Sequence, residues 1–260
     1  MLIARNPLPL QCTARPIAEN TGQNFDIGWE MNAPPPFERR EDDLRAHLEY
    51  GCSDSCTRLI VSPGSGCTWA DHWYVDAALK IKSQFGGEIR CVLQWTADFE
   101  AINQRARPNN WKAVLLESQL QARSSGRAIL LGHSSGGNAA LEVAERYPVD
   151  SLVVLGAGYC DHDRRCSDIP HWDYNAIVSN VRKRIVVLHG ADDHVVRSSE
   201  GDIIAQGLRA AVARAEGASC PRLDISVREA GVGHAMQQTC PSALFDVLSS
   251  VILESVRDGM

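Results

Sequence analysis

Short, predominantly apolar runs recur along the chain from residue 58 onward. Leu59-Ile60-Val61, Ile89–Leu93, Ala128–Leu131, Leu152–Leu155 and Ile185–Leu188 are rich in β-branched residues. They show no polar alternation, which is the pattern of parallel strands covered on both faces. Leu223, Ile225 and Val227 alternate with polar residues instead, so that strand should be more exposed. Helical spacing fills the gaps. Ala139, Ala140, Val143, Ala144 and Tyr147 share one helix face that ends before Pro148. Leu244, Phe245, Leu248, Val251 and Ile252 do the same for a last helix opened by Pro241. Strand alternating with helix predicts an α/β protein, a doubly wound, mostly parallel sheet with helices on both faces. Ligands bind such sheets at the edge where the strands' C-terminal ends meet the loops.

Residues 1–57 do not follow this rhythm. Pro34-Pro35-Pro36 interrupts any regular element. The segment reads as an N-terminal extension, with an edge strand around Phe25–Met31 and a short helix around Asp42–Tyr50. Residues 58–260 form the main domain.

Composition narrows the partners. The 260 residues suit one large domain, and 44% hydrophobic with 22% charged residues is ordinary for a globular protein. The net charge of −6 and the lack of a basic stripe argue against nucleic acid. No run approaches the roughly 20 apolar residues of a membrane span. The N-terminus lacks the apolar core of a secretory signal, and the two arginines within residues 1–24 resemble a transit peptide only faintly. Nine cysteines, an odd number spread along the chain, do not suggest a disulfide framework. Cys52 and Cys56 have no partner pair at metal-binding spacing. Reduced thiols, a cytoplasmic location, no metal and no cofactor are the expectation.

The chemistry begins where Ala128–Leu131 runs through Gly132-His133-Ser134-Ser135-Gly136-Gly137 into a helix. A serine on a sharp strand-to-helix turn needs small residues two places before and after it. Ser134 has Gly132 and Gly136 there, whereas Ser135 would have His133 and Gly137. Ser134 is therefore the candidate nucleophile, and it requires a base to take its proton. In G-x-S-x-G hydrolases the acid and then the histidine follow the serine in chain order. After the Ile185–Leu188 strand, only His189, His194 and His234 remain. His189 ends a strand and reads as a packed residue. His194 adjoins the acids. His234 follows the last strand among glycines that would let its loop reach the serine, so it is the expected base. Asp192 and Asp193 compete for the acid, with Asp161 or Asp163 more remote. The valines at 195 and 196 would anchor a loop that presents Asp193. An oxyanion needs two fixed donors. The N–H of Ser135, next after the nucleophile, and that of Ser65, in the loop Ser62-Pro63-Gly64-Ser65-Gly66, fit the roles.

Pro63-Gly64-Ser65-Gly66 with His72-Trp73-Tyr74, the Gly132–Gly136 block, Pro170-His171-Trp172-Asp173-Tyr174 and Gly190-Ala191-Asp192-Asp193 resemble the small serine hydrolases related to retinoblastoma-binding protein 9. The likeness covers about residues 58–255. It implies an α/β-hydrolase fold without a large lid, and a triad falling on Ser134, Asp193 and His234. The link between the strands at 152–155 and 185–188 is itself too short for a lid domain. The expected activity is hydrolysis of an ester-like small acyl substrate, a carboxylester or a thioester, with Trp73, Trp172 and Tyr174 as candidate pocket residues. The rival reading is a non-catalytic protein of the same fold that binds a ligand or a protein.

Overall fold

The computed structural model describes residues 38–42, 45–50, 57–62, 64, 72–85, 89–95, 127–158, 172–215 and 220–257. In chain order the elements are strands β1 (Glu38–Asp42), β2 (Arg45–Tyr50) and β3 (Thr57–Ser62), helix α1 (His72–Phe85), β4 (Ile89–Trp95), β5 (Arg127–His133), α2 (Ser135–Arg146) and β6 (Val149–Leu155). Then come α3 (Tyr174–Asn180), β7 (Val181–Gly190), α4 (Ser198–Arg214), β8 (Arg222–Glu229), α5 (Met236–Thr239) and α6 (Pro241–Arg257).

The strands form one eight-stranded sheet in the order β1-β2-β4-β3-β5-β6-β7-β8. β3 to β8 run parallel, and β1 and β2 join antiparallel at one edge. The architecture is the doubly wound sheet expected from the run pattern, in the α/β-hydrolase form that the resemblance implied. From β3 the chain moves to β4 on one side and then to β5 on the other. The loops after β3 and β5 therefore leave the sheet side by side, at the point where such folds open a binding crevice.

Alternation within each strand builds two cores. Leu59, Val61, Ile129, Leu131, Val153, Leu155, Val186 and Leu188 face Tyr74 and Ile81 of α1 and Leu244, Leu248, Val251 and Ile252 of α6. Their neighbours Ile60, Leu130, Leu152, Val154, Ile185 and Val187 face α2, α3 and α4 through Ala139, Ala140, Val143, Ile177, Ile204 and Leu208. Successive side chains point to opposite faces of a strand, so only a strand apolar at every position can supply both layers. Each such side chain, once buried, contributes on the order of 1.5–3 kcal/mol. At the β8 edge Leu223, Ile225 and Val227 are only half-buried, as their alternation predicts.

Three features depart from or lie outside the expectations. The helix predicted over 42–50 is strand β2, paired antiparallel with β1 and β4. Ala46, Leu48 and Tyr50 alternate with Arg45, His47 and Glu49, a period of two that outweighed the helical propensity of Ala, Leu and Glu. The sheet thus takes in residues 38–50, assigned above to the extension, while Phe25–Met31 lies outside the described residues. Most of the β6–β7 link, residues 159–171, also lies outside them. Finally, Cys240 is held in a disulfide, against the expectation of reduced thiols; Cys220 carries a free one. Pairing is set by the tertiary distance between sulfurs, which cysteine spacing does not report. Among the described residues no helix is long and apolar enough to cross a membrane.

Candidate active site

Ser134 is the single residue between the end of β5 and the start of α2. It has φ 55 and ψ −121, and among the described residues no other non-glycine has a positive φ. A backbone held there costs about 1–3 kcal/mol, so the surroundings must enforce it. Two hydrogen bonds help. Ser134 N donates to Leu155 O at 2.8 Å, and Asn138 N donates to Ser134 O at 3.1 Å. The turn is tight enough that a Cβ on Gly132 would lie 2.3 Å from Gly136 O and 2.7 Å from Gly137 Cα. This crossing is the physical origin of the small-residue rule used to choose Ser134 over Ser135.

Asp193 and His234, the expected acid and base, come from the loops after β7 and β8. His234 Nδ1 lies 2.8 Å from Asp193 Oδ2. The Asp193 side chain is fully buried, and its Oδ1 accepts from Val195 N at 2.9 Å and Val196 N at 2.8 Å. Burial pushes its carboxyl pKa up. Hydrogen bonds from His189, His234 and Val196, with the nearby His234 ring, together outweigh burial and hold it well below the usual carboxylate range. The carboxylate therefore stays ionised and accepts the hydrogen bond of Nδ1–H, which leaves Nε2 as the nitrogen of His234 with a free lone pair.

The two aspartates left in competition by the sequence divide the work. Asp192 Oδ2 accepts from Gly231 N at 2.9 Å, and Asp192 N donates to Val232 O at 3.1 Å. Asp192 thus ties the acid loop to the base loop, while Asp193 meets the imidazole. His194 is exposed, and Asp161 and Asp163 lie outside the described residues. His189 is packed as expected, 1% exposed, with Nε2 3.2 Å from Val196 O. The same nitrogen is 3.3 Å from Asp193 Oδ2, a contact that sequence reading missed. A strand end carries no periodicity that could have signalled it.

The corner Leu155–Gly156, at the end of β6, links the Ser134 turn, the elbow, to the Asp193–His234 pair. Leu155 O takes the Ser134 N–H, and Gly156 N donates to Leu188 O at 2.9 Å. Gly156 has φ +51, and a Cβ there would stand 3.4 Å from Asp193 Oδ2 and 3.5 Å from His234 Nδ1. His133 adds a second link. Its Nε2 is 2.9 Å from His234 O, and its ring centroid is 4.9 Å from that of His234. In the sequence His133 shows nothing beyond its place beside the serine.

Of the two expected oxyanion donors, Ser135 opens α2, whose first-turn N–H groups and positive dipole end face the elbow. Ser65 lies outside the described residues. Gly64, just before it, packs over the elbow: a Cβ there would be 3.1 Å from Ser134 Cβ and 3.2 Å from His133 Nδ1. The three aromatic candidates hold packing positions. Trp73 is half-buried, meets Tyr74 edge-on at 5.2 Å, and donates Nε1–H to Pro241 O at 3.3 Å. Trp172 is buried in the α2–α4 core and meets Tyr174 edge-on at 6.5 Å. The Tyr174 ring lies over Gly207 of α4. Burial, with the charge of Glu200 adding to it, pushes the Tyr174 phenol up to about 12.

Comparison with solved structures places the fold of this chain beside those of known hydrolases. The esterase Pf2001 of Pyrococcus furiosus superposes with a TM-score of 0.60 at 11% identity, over 85% of this chain and 95% of that one. Est1E from Butyrivibrio proteoclasticus gives 0.57 at 12% identity, over 85% and 99%. A predicted CIB-like hydrolase from Thermoplasma acidophilum gives 0.56 at 16% identity, over 83% and 98%. At these identities the likeness establishes the α/β-hydrolase fold. No protein-family model and no curated protein sequence matches the chain.

Proposed function

We propose that this chain is a serine hydrolase acting on ester-like small molecules, carboxylesters or thioesters, through an acyl-enzyme. The observation that carries the reading is the strained backbone of Ser134, φ 55, on the turn where a G-x-S-x-G nucleophile would stand. His234 Nε2 takes the Ser134 hydroxyl proton as Oγ attacks the substrate carbonyl carbon. Asp193 holds the imidazole by Nδ1 and stabilises the imidazolium that forms. The N–H groups of Ser65 and Ser135 receive the oxyanion. Collapse of the tetrahedral adduct breaks the bond to the alcohol or thiol, which leaves with the proton from His234. Water, deprotonated by the same nitrogen, then releases the acid and restores Ser134. The resemblance to the small hydrolases related to retinoblastoma-binding protein 9 supports the same residues, and the esterase names among the structural neighbours agree with the reaction class.

The test is turnover of p-nitrophenyl butyrate together with labelling by a fluorophosphonate. The wild type is expected to hydrolyse the ester and gain the mass of one phosphonyl group. Ser134→Ala is expected to lose both, with a fall in kcat of several orders of magnitude. A folded wild type that neither labels nor turns over would leave the fold as a binding module.

A further inference from the structure

Resting on the triad reading above, we infer that His133 is a positioning residue for the base: its Nε2–H anchors the main chain of His234 to the nucleophile's own turn. Val232 and Met236 pack in the core on either side of His234, but the loop that carries the base is rich in glycine. It contains Gly231, at φ +74, and Gly233, and glycine gives the backbone its widest freedom. Its position depends on ties from outside. Asp192 holds Gly231 N and Val232 O, both upstream of the imidazole. Asp193 holds the ring at Nδ1. His133 holds the carbonyl of His234 itself, at 2.9 Å.

The chemistry of that contact fixes its direction. A carbonyl oxygen only accepts, so Nε2 of His133 carries the proton and donates it. The same carbonyl takes Met236 N at 3.0 Å, which joins the start of α5 to this point. His133 is 2% exposed, so water does not compete for the bond and the donor is well placed to be stiff. Among these ties, that of His133 alone starts on the elbow. Since His133 and Ser134 are consecutive, a hydrogen bond from one to His234 sets the distance between base and nucleophile directly. The tilted contact of the two imidazoles, 4.9 Å between centroids and 40° between planes, limits rotation of the base about its own Cα–Cβ bond. Displacing a reacting group by about 1 Å can cost a hundredfold in rate.

A residue that merely fills space would be replaceable by another of its size, so the test separates the donor from the volume. His133→Phe keeps a ring and removes the N–H. His133→Met and His133→Gln form a second pair of nearly equal length, in which glutamine alone offers an N–H. Each variant is assayed with p-nitrophenyl butyrate and with the fluorophosphonate, beside Ser134→Ala and a thermal melt. The inference expects His133→Phe and His133→Met to lose about tenfold to a hundredfold in kcat and in labelling rate, with KM within twofold. His133→Gln should recover most of that loss. Should the phenylalanine variant not fold, the methionine–glutamine pair decides alone. Equal activity in donor and donor-free variants would overturn the inference and leave the triad standing, provided Ser134→Ala is inactive. Full activity in Ser134→Ala would overturn both.

Discussion

Asp192 and Asp193 are adjacent in the chain, yet their carboxylates serve different parts of one neighbouring loop: Asp192 takes the N–H of Gly231, and Asp193 takes Nδ1 of His234. The division predicts opposite phenotypes. Asp193→Asn should reduce kcat by on the order of 10⁴, because an amide no longer selects the Nδ1–H tautomer or stabilises the imidazolium. Asp192→Ala removes a hydrogen bond at an exposed amide and should cost about 1 kcal/mol of stability. Its kcat/KM should stay within about tenfold of wild type. Kinetics and urea denaturation on both variants check this, and a larger catalytic loss at 192 would reverse the assignment.

The depressed acidity of Asp193 has a consequence for stability against pH. The folded carboxyl titrates below its ordinary value of 3.8, so the folded state binds fewer protons than the unfolded one across that range. Stability from this group is then full above the ordinary carboxylate pKa and drains away as pH falls from about 5 toward the lowered folded value. Asp193→Asn should flatten the melting temperature between about pH 5 and 3 relative to wild type. Parallel curves for the two proteins would refute the linkage.

Gly132 carries a steric prediction. The alanine methyl would sit 2.3 Å from a main-chain oxygen of the opposing turn. Backbone on both sides of a crossing cannot swing away as a side chain can. Gly132→Ala should cost about 3 kcal/mol or more, visible as a lowered urea midpoint, with loss of fluorophosphonate labelling. Normal stability in this variant would mean that the elbow is looser than described.

Arg184 tests the far end of the sheet. Its buried guanidinium donates to Asp224 at 2.6 Å and to Ser250 at 2.7 Å, with Glu254 at 3.6 Å, clamping β7 to β8 and α6. Removing one partner of a fully buried pair costs 3–5 kcal/mol. Asp224 and Glu254 remain 30% and 36% exposed, so Arg184→Met should cost nearer 2 kcal/mol after screening. Arg184 lies roughly 20 Å of strand before the proposed catalytic edge. Specific activity of the folded variant should therefore match wild type at 20 °C, while its melting temperature falls.

Much of this protein was legible in one dimension because strands buried on both faces must be apolar throughout. That pattern gave five central strands, the two helices at 139–147 and 244–252, and the layering between them. The tight turn at Ser134 was legible for a related reason: the crossing at Gly132 and Gly136 is local, made within five residues. The misread segment, 42–50, is a short stretch where alternation and helix propensity disagreed, and pairing with β1 and β4 decided in favour of strand.

What only the tertiary structure decided is which distant groups face each other. Nothing in Asp192-Asp193 says which carboxylate reaches residue 234, because the answer depends on how the loops after β7 and β8 lie together. His189 and His133 carried no signal of contact with Asp193 and His234, since their partners are fixed by the spacing of neighbouring strands rather than by neighbours in the chain. Periodicity reports burial, which each residue feels alone. Hydrogen bonds between loops report relative position, which belongs to the folded sheet as a whole.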